Sequence, residues 1–134
     1  MSDESIAVVK RIYEGFDTGD MEKILECVAE EIAMDHRGIG SPDYPMNKVF
    51  RGKSGMREFV NLIFDTEEVL DHEVREFFAS GDKVAVTGFF RARVKATNKE
   101  FSSDWAQVWT IKQGLATEWK LYFDFTAEAL AYRP

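Results

Sequence analysis

The sequence predicts a single α+β domain, residues 1–134, in which helices pack on one concave face of a mainly antiparallel sheet. Two observations predict this class. Apolar residues recur at helical spacing up to about residue 65, and beyond it they mostly alternate with polar residues. A chain of 134 residues with 45% hydrophobic content can also bury roughly two thirds of its unfolded surface in one core.

Three helices are predicted in the first half. The first spans about residues 2–16, and the second follows Asp17-Thr18-Gly19-Asp20, which ends the first and caps its successor. A short strand at 32–36 comes next. An irregular loop at 37–51 then contains two prolines that prevent regular pairing, and a third helix begins near Lys53. The predicted inner residues of the helices are Ile6, Val9, Tyr13, Phe16, Met21, Ile24, Leu25, Val28, Met56, Phe59, Val60 and Ile63.

The second half predicts four or five antiparallel strands. Strands at about 69–79 and 83–96 form a long hairpin about Ser80-Gly81-Asp82, and Asn98 marks the turn into a second hairpin. A short helix at about 127–131 closes the chain. One face of the 83–96 strand carries Val84, Val86, Gly88, Phe90, Ala92 and Val94.

The second hairpin, within residues 100–125, has one almost wholly apolar face, which Gln107 interrupts. A buried amide costs about 1–3 kcal/mol unless it finds partners, so Gln107 either makes a structural hydrogen bond or faces a ligand pocket. We expect a three-residue loop, Lys112-Gln113-Gly114, with Gly114 in the left-handed conformation, which pairs Gln107 with Trp119. The apolar face comprises Phe101, Trp105, Trp109, Ile111, Trp119, Leu121 and Phe123.

Composition excludes several classes of function. The net charge of −7 argues against a nucleic-acid backbone or an anionic membrane as partner. No apolar run approaches the ~20 residues that a membrane span needs, and the N-terminus lacks the features of a signal peptide, so we expect a cytoplasmic protein. The single cysteine, Cys27, excludes an intramolecular disulfide and is expected to be a small core residue.

A specific fold pattern is carried by four segments: VVKRIYEGFDTGDMEKILECVAEEIAMDH, FRGKSGMREFVNLIF, SGDKVAVTGFFRARV and AQVWTIKQGLATEWKLYFD. In this pattern the whole chain resembles the SnoaL-like polyketide cyclases and the ketosteroid isomerases, which belong to the nuclear transport factor two-like superfamily. The resemblance implies a cone-shaped fold, in which a curved sheet wraps around the helices and encloses an apolar pocket open at one end. It also implies a homodimer formed through the outer face of the sheet.

The resemblance assigns roles by position. The isomerases place a general-base carboxylate at the end of the first strand, where this chain has His36, and an oxyanion-stabilising acid on the second-last strand, where it has Gln107. Their first-helix tyrosine falls on Ile12, so that donor is expected to be missing, with Tyr13 one position away. The cyclases and the limonene epoxide hydrolases use a last-strand aspartate, and Leu121 stands at its position, which disfavours epoxide hydrolysis by that mechanism.

His36 is the predicted catalytic base, because alternation turns it inward and because histidine titrates near neutral pH. The alternative is a structural histidine that is hydrogen-bonded to backbone near Gly38. Gln107 is the predicted hydrogen-bond donor to a carbonyl or enolate oxygen. The predicted pocket lining comprises Tyr13, Phe16, Met34, Phe59, Phe90, Trp105, Trp109, Trp119, Leu121 and Phe123.

The remaining titratable candidates are predicted to lie outside the pocket. Alternation turns Asp35, Asp104 and Asp124 away from the apolar face, unless the strand register slips by one residue. His72 lies among acidic residues and is predicted to be a surface histidine. The two histidines have no carboxylates at helical spacing, so neither a metal site nor a cofactor is expected.

Two functions remain open. The first is an enzyme that abstracts a proton next to a carbonyl of an apolar small molecule, leading to isomerisation, cyclisation or dehydration without a cofactor. The second is a non-catalytic binder of a hydrophobic ligand, or a dimerisation module, that kept the fold without the chemistry. The missing last-strand aspartate and first-helix tyrosine favour the second, since a fold by itself does not fix a function.

Overall fold

The computed structural model describes residues 2–36 and 44–134. In this part of the chain the elements are α1 (Ser2–Thr18), α2 (Met21–Glu26), β1 (Val28–Asp35), β2 (Val49–Arg51), α3 (Gly52–Thr66), β3 (Glu67–Ser80), β4 (Lys83–Val94), β5 (Glu100–Lys112), β6 (Leu115–Tyr122) and α4 (Phe125–Tyr132). Three N-terminal helices pack on a curved, mainly antiparallel sheet around an apolar pocket, so the predicted fold class is confirmed.

The strands form one sheet in the order β2-β1-β6-β5-β4-β3. Its neighbours are antiparallel except for β1 and β6, which are parallel, in agreement with the predicted mainly antiparallel sheet. The parallel pairing sets Met34 opposite Trp119 and thereby brings the end of β1 to the aromatic hairpin. Strand β2 was missed within the predicted loop because it has only three residues.

The turn between β5 and β6 differs from the prediction. Gln113 and Gly114 both adopt positive φ, at 53° and 78°, and form a two-residue loop. Gln113 thus takes up a left-handed conformation that the prediction gave to Gly114 alone. The shorter loop and a register shift between Thr110 and Ile111 together pair Gln107 with Leu121, so the predicted pairing of Gln107 with Trp119 is wrong.

Two bulges in β3 decide which of its side chains face the helices. The register with β4 shifts once after Val69 and once after Val74. Each bulge adds one residue and so reverses the alternation that follows it. The inward positions become 69, 72, 74, 77 and 79, and His72 lies opposite Phe90 on the inner face.

The helices close the concave face of the sheet. Helix α1 packs against α2, β3 and β4, and α3 packs against β1, β2 and β3. Asp20 and Asp124 begin α2 and α4, each accepting a hydrogen bond from a backbone N–H of the first turn. Cys27, at the end of α2, is buried in the core as predicted.

None of the helices in residues 2–36 and 44–134 is both long enough and apolar enough to span a membrane. The cytoplasmic location expected from the sequence stays a prediction.

Candidate functional site

The helices and the inner face of the sheet enclose an open-mouthed cavity, in which about 90 Å³ is accessible to the centre of a water molecule. Its wall is mostly aromatic and aliphatic, which suits an apolar small molecule. Predicted lining residues found on this wall are Tyr13, Phe16, Phe59, Phe90, Trp105, Trp109, Trp119, Leu121 and Phe123, together with His36 and Gln107. Met34 is not among them, because it is buried next to Gly55 of α3 instead.

The side chain of Gln107 is fixed by two hydrogen bonds to its carbonyl oxygen. Its Oε1 accepts one from the Tyr13 hydroxyl at 2.6 Å and one from the Trp119 indole Nε1 at 3.1 Å. Because an indole N–H can only donate, the atom it contacts must be the amide oxygen. The amide NH₂ therefore occupies the other end, and among the described residues it has no hydrogen-bond acceptor. Gln107 thus presents an N–H donor for a ligand.

Tyr13 supports this arrangement from α1. Its hydroxyl accepts a hydrogen bond from Trp109 Nε1 at 3.0 Å while donating to Gln107. Burial raises the pKa of the Tyr13 hydroxyl, so it stays protonated. Position 12, where the resemblance places a tyrosine, is isoleucine, but Tyr13, predicted as pocket lining, brings a hydroxyl to the cavity wall. Because the Tyr13 hydroxyl donates to Gln107, the group that remains able to donate to a ligand is the NH₂ of Gln107.

His36 lies just beyond β1, where its backbone N–H donates to the Lys48 carbonyl. Its ring is 1% exposed, stacks on Phe59 at 4.2 Å between centroids, and meets Trp119 edge-on at 4.7 Å. Burial lowers the pKa of His36 to about 3, against the weaker opposite effect of Asp35. Neither ring nitrogen has a hydrogen-bond partner among the described residues, and Gly38 lies outside them.

His72, predicted to lie on the surface, lines the same cavity. Its side chain is 10% exposed, and its Nδ1 lies 2.6 Å from Oδ1 of Asp17 at the end of α1. The ring also stacks on Trp105 at 5.9 Å and lies 6.2 Å from Tyr13. A histidine held by a carboxylate at Nδ1 keeps Nε2 for proton transfer, as in other acid–base pairs.

The sequence contained a signal for this placement. Val69, Val74, Phe77 and Ala79 are the apolar residues of β3 that pack on the core. They share one face only if two bulges interrupt the strand, since two of the spacings between them are odd and a regular strand needs even ones. The same two bulges turn His72 inward.

Two buried glutamates were missed altogether. Glu67, the first residue of β3, is 2% exposed and Glu128 of α4 is 8% exposed, and both line the cavity. Burial raises the pKa of Glu67, and burial and the adjacent Glu67 carboxyl raise the pKa of Glu128 well above its usual range. No periodicity marked them, because Glu67 follows a helix directly and Glu128 lies in the first turn of a short helix.

The strand aspartates do not reach the cavity. Asp35 and Asp104 are exposed, and Asp104 accepts a hydrogen bond from Arg75 at 3.1 Å. Asp124 accepts one from the backbone N–H of Ala127 at 3.0 Å. In the described ranges, no three His, Cys, Asp or Glu side chains come together as metal ligands would.

Known proteins share this architecture. The sequence pattern of the SnoaL-like domain matches residues 9–119. A crystal structure of an NTF2-like protein from Burkholderia xenovorans is 28% identical, with a TM-score of 0.90 over 99% of this chain and 98% of that one. A protein from Mesorhizobium loti, provisionally assigned as a SnoaL-like polyketide cyclase, is 25% identical, with a TM-score of 0.70 over 87% and 97% of the two chains.

The TerC protein, crystallised with polyporic acid, is 23% identical, with a TM-score of 0.80 over 96% of this chain and 98% of TerC. No curated protein matches the chain significantly. The match over residues 9–119 covers most of the chain and agrees with the cone of helices and sheet around an apolar cavity. The chain therefore belongs to the SnoaL-like family of the nuclear transport factor two-like superfamily.

Proposed function

We propose that this protein binds an apolar, carbonyl-bearing small molecule and catalyses proton transfer next to that carbonyl, leading to isomerisation, cyclisation or dehydration. The observation that carries the proposal is the orientation of Gln107. Its oxygen is held by Tyr13 and Trp119, so its NH₂ group is a fixed donor in an apolar cavity. A fixed donor stabilises the negative charge that develops on a carbonyl oxygen when the adjacent carbon loses a proton.

His72 is the base that best fits this step. The Asp17 carboxylate orients its ring and stabilises the imidazolium that forms when Nε2 takes a proton. Tyr13 lies between His72 and Gln107, touching the first through its ring and the second through its hydroxyl. The donor and the base are therefore neighbours on one wall of the cavity.

His36, the base predicted from the sequence, is the second candidate for the same step. Its ring nitrogens are available, but a pKa of about 3 makes it a weak base at neutral pH. Its location among Phe59 and Trp119 suits a hydrogen bond to a bound ligand.

Hydrogen–deuterium exchange at carbon tests the proposal without knowledge of the natural substrate. A panel of cyclic and aromatic ketones in D₂O is followed by proton NMR, and binding is followed separately by tryptophan fluorescence. We expect Gln107→Leu to slow exchange by about 10²-fold and His72→Gln by about 10²- to 10⁴-fold. Lys120→Gln, on the outer face of β6, is the matched control and should exchange at the wild-type rate.

Three results would contradict parts of this proposal. A loss of exchange in His36→Asn with none in His72→Gln would make His36 the base. Wild-type rates in Gln107→Leu would remove the donor role. Tight ketone binding with no exchange at all would instead establish a non-catalytic binder, which the leucine at position 121 and the outward-facing strand aspartates favour.

We also propose a homodimer formed through the outer face of the sheet. Phe78 and Tyr122 are 56% and 55% exposed there, and ion pairs such as Arg75–Asp104 lie beside them. Exposed aromatic side chains interspersed with charged ones on one sheet face suit contact with a second copy of the chain. Light scattering after gel filtration should give a dimer for the wild type and a monomer for Phe78→Asp, and a monomeric wild type would refute the proposal.

A further inference from the structure

The strongest unexplained feature of the cavity is the pair of carboxyl groups on Glu67 and Glu128. They come from the start of β3 and from α4, and both lie on the cavity wall. Neither forms an ion pair with a lysine, arginine or histidine of the described residues. Removing two carboxylates from water without a cation is costly, so the pair must keep a proton or receive a cation.

The hydrogen bonds of the pair show which state it adopts without a cation. The Tyr132 hydroxyl donates to Glu67 Oε2 at 2.6 Å, and the carboxyl groups of Glu67 and Glu128 are hydrogen-bonded to each other. Two carboxyl groups can form a hydrogen bond to each other only if one of them carries a proton. The pair therefore shares a proton.

The other oxygen of Glu67, Oε1, is buried, and no donor from outside the carboxyl pair reaches it within the described part of the chain. A buried acceptor without a donor costs about 1–3 kcal/mol, so such groups need an explanation. The ring nitrogens of His36, in the wall of the same cavity, also lack hydrogen-bond partners among the described residues. This independent observation indicates that the cavity binds a ligand with polar groups.

Aromatic rings lie next to the carboxyl pair. Tyr132, whose hydroxyl contacts Glu67, stacks on Tyr44 at 6.3 Å, and Tyr44 stacks on Phe125 at 6.3 Å. Aromatic faces attract organic cations, and the attraction is strongest where water is excluded. Carboxylates and aromatic faces together favour a positively charged group over a neutral one.

We propose that Glu67 and Glu128 form a binding subsite for the protonated amine of an apolar ligand. The ammonium N–H donates to Glu67 Oε1, and its charge replaces the proton that the pair holds in the empty cavity. That proton passes to solvent, and the Tyr132 hydroxyl continues to donate to the ionised Glu67. The ligand class is an aromatic or alicyclic amine, and the subsite does not depend on whether the cavity also catalyses proton transfer.

Two probes with the same skeleton test this inference. Phenethylamine is an ammonium ion at pH 7, and 2-phenylethanol is its neutral counterpart with a hydroxyl donor. Titration calorimetry at pH 7 in two buffers of different ionisation enthalpy gives both the affinity and the number of protons released. We expect the amine to bind at least about tenfold more tightly than the alcohol and to release protons, because a charge-assisted hydrogen bond is the stronger one.

Isosteric variants assign the effect to the pair. Glu67→Gln and Glu128→Gln remove the charge and keep the shape, so each should weaken amine binding at least about tenfold and leave alcohol binding unchanged. Glu68→Gln is the matched control, since Glu68 lies next to Glu67 on β3 but is exposed and paired with Arg93. It should bind the amine as the wild type does.

Equal affinities for amine and alcohol, or amine binding that survives both variants, would overturn the inference. If a variant fails to fold, the comparison of the two probes on the wild-type protein decides alone. The ketone exchange assay is separate, so amine binding without exchange would support this subsite and refute only the proposed reaction.

Discussion

The two histidines of this protein occupy one cavity in opposite settings. His36 is enclosed by Phe59 and Trp119, and no described residue bonds its nitrogens. His72 lies against Trp105 as well, yet its Nδ1 is held by the Asp17 carboxylate at 2.6 Å. Burial in aromatic surroundings is common to both, and the carboxylate is the difference.

This difference determines what each imidazole can do. Burial without a partner penalises the charged ring, so His36 stays neutral over the whole physiological range. The Asp17 carboxylate instead holds Nδ1 of His72 and so fixes the orientation of that ring in the cavity. Four predictions follow from this contrast, ordered from the largest expected effect to the smallest.

The pH dependence of the unfolding free energy tests whether burial lowers the pKa of His36. Its pKa is about 3 in the folded state and about 6.5 unfolded, so between these values the unfolded chain binds more protons. Stability is therefore complete above pH 6.5 and falls as the pH decreases towards 3. Relative to His36→Phe, the wild type should lose about 2 kcal/mol of unfolding free energy by pH 5 and about 4 kcal/mol by pH 3. Denaturant titrations at several pH values measure this, and a constant difference would contradict it.

A methyl group at Gly88 should displace Trp105, on which the His72 ring stacks, and destabilise the fold. A Cβ there would lie 2.1 Å from the Glu73 carbonyl oxygen and 2.2 Å from the ring of Trp105, on which His72 stacks. Because a backbone atom is one of the obstacles, Gly88→Ala should cost about 3 kcal/mol. Chemical denaturation gives the loss in unfolding free energy. Ala85→Gly, on the outer face of β4, is the control; Gly81→Ala is unsuitable because Gly81 has a positive φ. An equal loss of unfolding free energy in Gly88→Ala and Ala85→Gly would argue against the clash.

Tyr13 lies next to both His72 and Gln107, and removing its hydroxyl should disturb the hydrogen bonds around Gln107. Tyr13→Phe leaves the Trp109 indole N–H without its acceptor and Gln107 Oε1 with one donor fewer. We expect a loss of about 1–3 kcal/mol in unfolding free energy. Tyr122→Phe, at an exposed position, should change stability by less than about 0.5 kcal/mol. Equal effects of the two variants would show that the buried network contributes nothing measurable.

Asp17→Asn should have the smallest effect on stability. The Asp17 side chain is 50% exposed, and partly exposed ion pairs contribute about 0–1 kcal/mol. Ketone exchange should nevertheless slow at least about tenfold, because His72 loses the group that stabilises its imidazolium. Unchanged exchange with unchanged stability would show that the Asp17–His72 contact has no part in proton transfer.

Much of the site could be predicted from local sequence pattern. Strict alternation on β5 turned Trp105, Gln107 and Trp109 to one face, and the structure has them there. The end of β1 likewise delivered His36 to the cavity. These predictions succeed because a regular strand has a side-chain period of two, which the sequence displays directly.

The remainder depended on contacts between distant residues. The bulges of β3, which bring His72 inward, are stabilised by packing against β4 and α1, so simple alternation misplaced that histidine. Asp17 meets His72 across 55 residues of sequence, and Tyr13 meets Gln107 across 94. No local pattern encodes such pairs.

The sequence by itself determined the α+β class, the apolar face of the aromatic hairpin and the inward direction of His36 and Gln107. Only the tertiary structure decided the parallel pairing of β1 with β6, the partner of each histidine and the meeting of Glu67 with Glu128. The physical reason is that side-chain direction follows from backbone period, whereas the charge state and hydrogen bonding of a side chain depend on groups that folding brings to it.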